Sequence, residues 1–464
     1  MGLGLNGGGL SSARFFSSLG AAVTITDKKS AADLAPSIEA LASFPNIRYV
    51  LGIHDLEDFR NADVVIKNPG VKLEGNEYLA AARSIETDIS VFLRLTKAPI
   101  LAVTGSKGKS STVSALQHGL KALGYKSFLG GNITVSPLTF LDDTDETTPV
   151  VLELSSWQLA DLRGRGLLKP RVAILTHVMP DHQNWYGGME PYVADKKLIY
   201  ADQDETCHLL CNADDEWGPV FAAECEARGK EGPLVHWYSA RPLSADKTEG
   251  AWLEADGRGF MRSALVPASA AHPVEILPAS LAVPGAHMRQ NLLTAAQALV
   301  LFGAKPEAVG PALATFRGIE HRLEFFHEAG GVKYYNDSAA TIPEAVAAAI
   351  TSFDRPVILL SGGTDKKLDF TPLADALADP AIRPKKICLL AGSGTDKLVA
   401  LLAPRGIPFD GPFPDLDELI GAGRKAAEPG DIVVFSPGAT SFGMFNNEFD
   451  RGNKFRDAVL RLIR

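Results

Sequence analysis

Short apolar, β-branched runs alternate with longer Ala- and Leu-rich amphipathic stretches along the chain, which predicts βαβ units with parallel sheets. Such runs place strands at Ala22–Thr26, Val64–Lys67, Ile100–Thr104, Val150–Leu154, Val172–Thr176 and His208–Cys211. In the second half they fall at Val332–Asn336, Val357–Leu360, Ile387–Leu390 and Ile432–Phe435. Helices are expected over Ser110–Leu123 and Met288–Phe302, each followed by a glycine suited to a helix end, Gly124 and Gly303. The irregular stretch Trp237–His272, with scattered Gly and Pro, is expected to hold a small antiparallel sheet. Breaks in the pattern at Arg94–Pro99 and Phe316–His321 set boundaries near residues 95 and 317.

Those boundaries give domains 1–95, 96–317 and 318–464, and 464 residues at about 150 per domain agree with three. With 46% hydrophobic and 22% charged residues the chain can build cores, which excludes intrinsic disorder. A net charge of -9 argues against nucleic acid or an anionic membrane as partner, while leaving room for a local basic site that takes phosphate. There is no apolar run long enough to span a bilayer, and the start, MGLGLNGGGLSSARFF, lacks the order of a signal peptide. Four cysteines, Cys207, Cys211, Cys225 and Cys388, make no disulfide framework and fit a reducing compartment. Cys207, His208 and Cys211 resemble half a metal site, but no second pair follows, so they read as ordinary thiols.

The most informative segment is Pro99–Thr112, PILAVTGSKGKSST, which reads as strand, glycine loop and helix. Its core, Gly105-Ser106-Lys107-Gly108-Lys109-Ser110-Ser111, suits a nucleotide phosphate site. Glycines let N–H groups close on phosphate oxygens, Lys109 reaches the terminal phosphates, and the Ser110 hydroxyl can meet Mg²⁺. Val103 stands where the usual loop has its first glycine, and a generic turn is the plainer alternative. Gly2-Leu-Gly-Leu-Asn-Gly7 matches G-x-G-x-x-G, with Asp27 at the end of the next strand as a carboxylate for a ribose hydroxyl. The strand that should precede this loop is missing: either it is absent or the start is placed too late. Glu153 ends an apolar strand, where a carboxylate is costly to bury without a cation, either an arginine or Mg²⁺. His182 follows another strand, and Lys196 lies on the next helix.

In order along the chain, GSKGKSS, GGN (130–132), ELSSWQL (153–159), DH (181–182), GAHMRQN (285–291), HRLE (321–324), NDSAAT (336–341) and SPGATSF (436–442) resemble the Mur ligases. These are ATP-dependent amino-acid ligases of peptidoglycan synthesis, and ELSSWQL is similar to the segment of the branch that adds D-glutamate. The resemblance covers essentially the whole chain. It implies an α/β fold of three domains. A Rossmann-like first domain binds the UDP-sugar, a P-loop-type parallel-sheet domain binds ATP and Mg²⁺, and a Rossmann-like third domain binds the amino acid. It implies UDP-N-acetylmuramoyl-L-alanine and D-glutamate as substrates, and a monomeric cytoplasmic enzyme of bacteria.

By the same resemblance Asn6, Asp27 and Asn68-Pro-Gly70 face the uridine diphosphate. Lys109 and Ser110 hold ATP phosphates and a first Mg²⁺ with Glu153, while His182 and Lys196 serve a second. Asn132 lies near the acyl end; Asn291, Arg322 and Asp337 are on the adenine and ribose side; Thr341, Lys366, Ser441 and Phe442 bind glutamate. An ammonium cannot ligate a cation, so the family's lysine is carbamylated by CO₂, which here means Lys196, or Lys197 if the register slips by one. Met288 stands at an asparagine position of the family, Ala339 at a lysine found in some members, and Glu448 at a position often aromatic. Rival readings are another ligase of the superfamily, a P-loop kinase, a NAD-dependent dehydrogenase built on Gly2–Gly7, and an inactive paralogue.

Overall fold

The computed structural model describes every residue except Leu5, Asn6, Ala245, Asp246, Thr248, Ala271 and Arg464, so the expected contact of Asn6 lies outside the described residues. The chain divides into two compact units, Met1–Ala279 with Gln290–Leu313, and Ser280–Arg289 with Ala314–Arg464.

The first unit begins with two separate parallel pairs, β1 (Val23–Asp27) with β2 (Ile47–Leu51), and β3 (Val65–Ile66) with β4 (Ile85–Glu86). Its body is one sheet of nine strands. These are β5 (Ile100–Thr104), β6 (Phe128–Gly131), β7 (Val150–Glu153), β8 (Val172–Leu175), β9 (His208–Asn212), β10 (Leu234–Ser239), β11 (Gly250–Leu253), β12 (Gly259–Arg262) and β13 (Val274–Leu277). The order is β13-β12-β11-β10-β9-β8-β5-β7-β6. β5, β7 and β8 are buried at every residue, as parallel strands covered on both faces must be, which explains their unbroken apolar runs. The antiparallel strands expected within Trp237–His272 are β11 and β12. They do not stand apart, because β11 pairs in parallel with β10 and so extends the main sheet.

The second unit has β14 (Glu324–Ala329), β15 (Val332–Asn336), β16 (Ile358–Gly362), β17 (Lys386–Leu390), β18 (Asp410–Phe413) and β19 (Ile432–Phe435), ordered β14-β15-β19-β16-β17-β18. All pairs are parallel except β14 with β15. Each strand expected from the sequence coincides within two residues with an observed one. The two expected helices are Lys109–Ala122 and Ala286–Phe302, and Gly124 and Gly303 take φ of 89° and 119°, as a left-handed helix end requires.

Candidate active site

The glycine loop leaves β5 where β8 and β7 flank it, at the carboxyl ends of parallel strands where ligands of such sheets gather. Gly105 has φ 149°, and a Cβ there would lie 1.9 Å from Thr176 Oγ1, so only glycine permits the close approach of β5 to β8. Gly108 caps the helix Lys109–Ala122 at φ 91°, and a Cβ there would meet Asn291 Oδ1 at 2.7 Å, which sets Asn291 against the loop. The Ser106 and Lys107 N–H groups donate to the His177 carbonyl at 2.8 and 3.1 Å, which ties the loop to the segment after β8. Ser106 Oγ bonds the Met179 carbonyl (2.8 Å) and lies 3.0 Å from the Tyr192 hydroxyl, a fastening role. Lys107 is exposed, its ammonium 3.8 Å from Asp181. Gly105→Ala is expected to weaken ATP binding at least tenfold in a nucleotide titration. Gly124→Ala, also at a positive φ (89°) but with open space around it, should cost only about 1 kcal/mol and leave ATP binding intact. Equal ATP affinities in the two variants would remove the close approach as the cause.

Glu153 ends β7 and is almost wholly buried. Its Oε1 accepts from Asn132 Nδ2 at 2.8 Å, and the Asn132 N–H donates to the Glu153 carbonyl at the same distance. Glu153 Oε2 has no hydrogen-bond partner, and among the described residues no arginine or lysine pairs with it. The Ser155–Gln158 capping box that follows turns the chain into the helix Ser156–Ala160 and fixes where β7 ends. Lys196, buried beneath the loop, donates to the Gly105 carbonyl at 2.8 Å, and Lys109 Nζ reaches the same oxygen at 2.9 Å. Burial, together with the neighbouring Lys109, pulls the Lys196 ammonium down to about 7. Lys197 points elsewhere, pairing with Glu224, so only Lys196 reaches the loop. His182, at φ 52°, packs its ring 4.9 Å from Trp157. Ser110 and Ser111 lie in the first turn of the helix behind Lys109.

In the amino-terminal part Asp27 is buried, with Oδ2 accepting from the Gly4 N–H (3.1 Å) and Oδ1 from the Lys29 N–H (2.9 Å). Asp27 therefore shapes the glycine loop through the Gly4 N–H. Asn68 Oδ1 accepts from the Gly70 N–H at 3.2 Å. A cavity of about 500 Å³ opens beside them, lined by Asp27, Lys28, Gly70, Lys72 and Tyr78.

In the second unit the loops after β15, β19 and β16 are neighbours because these strands adjoin. Asp337 is buried, accepting from the Leu323 N–H (3.1 Å) and the Ser436 hydroxyl (2.6 Å), and burial pushes its carboxyl up to about 7. It holds the Arg322–Leu323 turn, where Leu323 has φ 42°. Thr341 is half-buried, Ser441 buried, and Lys366 and Phe442 exposed, and Thr364 joins their loops by bonding the Phe442 carbonyl.

Three family models match the chain in sequence. They are the Mur ligase MurD-like N-terminal domain over residues 1–90, the Mur ligase middle domain over 103–299, and the Mur ligase glutamate ligase domain over 321–438. The chain belongs to the Mur ligase family. A relative from Treponema pallidum (strain Nichols), described as UDP-N-acetylmuramoylalanine–D-glutamate ligase, is 46% identical over 99% of this chain and 96% of that protein. One of the same description from Roseiflexus sp. (strain RS-1) is 39% identical over 99% and 97%. Among solved structures, UDP-N-acetylmuramate-alanine ligase of Thermotoga maritima superposes with TM-score 0.57 at 19% identity, covering 99% of this chain and 98% of that one. MurF of Acinetobacter baumannii gives 0.58 at 13% identity, covering 95% and 93%.

Two features of this Mur ligase were not singled out from sequence. Lys67 and Asp161 form a buried ion pair at 2.7 Å that ties the end of β3 to the segment after the helix Ser156–Ala160. Arg451, on the helix Glu448–Leu462, is fully buried and donates to Ser338 Oγ (3.0 Å), the Ser338 carbonyl (2.8 Å) and the Ala439 carbonyl (2.9 Å). An arginine among polar residues of an exposed-looking helix carries no local sign of this burial. Only its neighbour Gly452 does, since a Cβ there would strike His321 Nδ1 at 2.2 Å.

Proposed function

We propose that this Mur ligase joins D-glutamate to UDP-N-acetylmuramoyl-L-alanine, with cleavage of ATP to ADP and phosphate. The observation that carries the reading is the pairing of an unpartnered buried carboxylate oxygen, Glu153 Oε2, with a phosphate-type loop whose Gly105 carbonyl is shared by Lys109 and Lys196. The description shared by its long-covering relatives supports the choice of substrates.

The substrate's alanyl carboxylate oxygen attacks the γ-phosphorus of ATP; the bond to ADP breaks and an acyl phosphate forms. The D-glutamate amine then attacks the acyl carbon and loses a proton, and phosphate leaves as the amide forms. Lys109 and the first N–H groups of its helix hold the terminal phosphates, so that two anions can approach. A buried carboxylate oxygen with no hydrogen-bond partner, Glu153 Oε2, has the chemistry of a divalent-cation ligand. Two Mg²⁺ ions, held by Ser110 and Glu153 and by His182 and a Lys196 carbamate, would supply positive charge at the transferring phosphoryl group. Asn291, Arg322 and Asp337 serve the nucleotide side, Asn132 the acyl end, and Thr341, Lys366, Ser441 and Phe442 the glutamate. Gly2–Gly7 with Asn6, Asp27, Asn68 and Gly70 serve the uridine diphosphate.

On this reading residues 1–95, 96–317 and 318–464 bind UDP-sugar, ATP and amino acid in turn, in a monomeric cytoplasmic enzyme. Among the described residues no helix is long and apolar enough to cross a membrane. The test is ADP release with UDP-N-acetylmuramoyl-L-alanine, Mg²⁺ and ATP, in the presence of D-glutamate, L-glutamate or neither. Release that depends on D-glutamate is expected; turnover indifferent to the amino acid would overturn the reading.

A further inference from the structure

The segment 161–165, which follows the helix Ser156–Ala160, sends alternate side chains to three places. Asp161 pairs with Lys67 at the end of β3, the ammonium 2.7 Å from Asp161 Oδ2. Arg165 donates to Glu86 Oε2 at 2.7 Å and to the Ile85 carbonyl at 2.9 Å, both on β4. Arg163 pairs with Asp195, which also accepts from the Tyr186 hydroxyl at 2.9 Å and directly precedes Lys196. The segment therefore stands between the β3–β4 pair and the elements that carry Glu153 and Lys196.

The side chains of Lys67 and Asp161 are only 2% and 6% exposed. Such a pair is a poor source of stability, because desolvation of two charges offsets most of their attraction and apolar residues of similar size do as well or better. Burial pushes the Asp161 carboxyl up, against the pull of Lys67. Nor does Asp161 serve its own helix, since a carboxylate at a helix C-terminus meets the negative end of the dipole. What an ion pair supplies, and an apolar contact does not, is a fixed separation between two particular atoms. Lys67 immediately precedes Asn68-Pro69-Gly70, where Asn68 Oδ1 holds the Gly70 N–H, and its Nζ also donates to the Asn68 carbonyl at 3.4 Å. Asp161 ends the helix whose capping box starts at Ser155, two residues beyond Glu153.

We propose that Lys67 and Asp161 are positioning residues of the ligase. Their ion pair sets the distance of the Asn68–Gly70 loop from the phosphate loop, and so the reach of the substrate carboxylate to the γ-phosphorus. The proposal rests on the D-glutamate ligase reading, and both residues act through the segments they hold. Attack on phosphorus tolerates little error: a displacement of about 1 Å costs on the order of 10²-fold in rate. An apolar pair, Lys67→Met with Asp161→Leu, fills the same space without fixing the distance and leaves no lone buried charge.

The test compares this double variant with the unaltered chain in urea unfolding, in separate titrations with UDP-N-acetylmuramoyl-L-alanine and ATP, and in turnover at saturation. Stability is expected to be equal or greater, both affinities to stay within about threefold, and turnover to fall by about 10- to 100-fold. Exchanging the charges, Lys67→Asp with Asp161→Lys, keeps a pair and places the lysine favourably at the helix end, so it should recover part of the turnover. A double variant that binds both ligands and turns over like the unaltered chain would overturn the proposal. So would a deficit fully accounted for by unfolded protein or lost affinity, which would leave the pair a role in stability or binding alone. An unaltered chain that binds neither ligand would instead remove the ligase reading and the proposal with it, so the two failures can be told apart.

Discussion

Lys196→Ala is expected to lower ligase turnover by on the order of 10²–10³-fold and to regain part of it with formate, acetate or propionate. An unperturbed lysine is neutral in roughly one molecule in a few thousand at pH 7. Lys196, pulled down to about 7 by burial and by Lys109, is neutral in about half. Only the neutral amine can add CO₂, with formation of an N–C bond and loss of a proton to solvent. On the proposed reading, the carbamate would put a carboxylate where two lysine amino groups now share one carbonyl oxygen, that of Gly105, and would convert a repulsive arrangement into an attractive one. A small carboxylate diffusing into the space left by the alanine variant supplies the same charge, which is why rescue is the informative readout. Lys197→Ala, which removes only the surface pair with Glu224, should leave turnover within twofold. Full turnover without Lys196, or rescue confined to the Lys197 variant, would show that the anion belongs elsewhere.

Glu153 was legible in the sequence because a charge inside an apolar pattern is expensive, and expense points to a partner, whereas Lys196, in Ala-Asp-Lys-Lys-Leu, was marked only by the resemblance to the family. The same logic found β5, β7 and β8, whose two buried faces leave unbroken apolar runs. Edge strands escaped it. β18 reads Asp-Gly-Pro-Phe and β6 ends in two glycines, so turn chemistry hides them although each has a single neighbour in its sheet. The phosphate loop was legible as a loop, yet the engagement of the Ser106 and Lys107 N–H groups with His177 was not. That bond joins segments about 70 residues apart and leaves no periodic trace. Asp27 and Asp337 show a related limit: each also accepts hydrogen bonds from the protein's own chain, and those bonds leave no trace in the motif.

Arg451 is the extreme case, since its partners Ser338 and Ala439 lie 113 and 12 residues away. Arg451→Ala should destabilise the second unit by about 3–5 kcal/mol in urea unfolding. It removes a buried side chain and leaves three acceptors in the NDSAAT and SPGATSF loops without donors. Burial lowers the guanidinium only to about 10, so the charge persists at neutral pH and must be met by those acceptors. Arg451→Lys keeps the charge but not the fork that spans two loops, and should recover part of the stability while joining only one of them. The two loops carry Thr341 and Ser441, so in the lysine variant the KM for D-glutamate is expected to rise about tenfold while that for ATP moves less. A folded lysine variant with unchanged KM for D-glutamate would mean that the loops hold their geometry without the arginine, and that its burial serves stability alone.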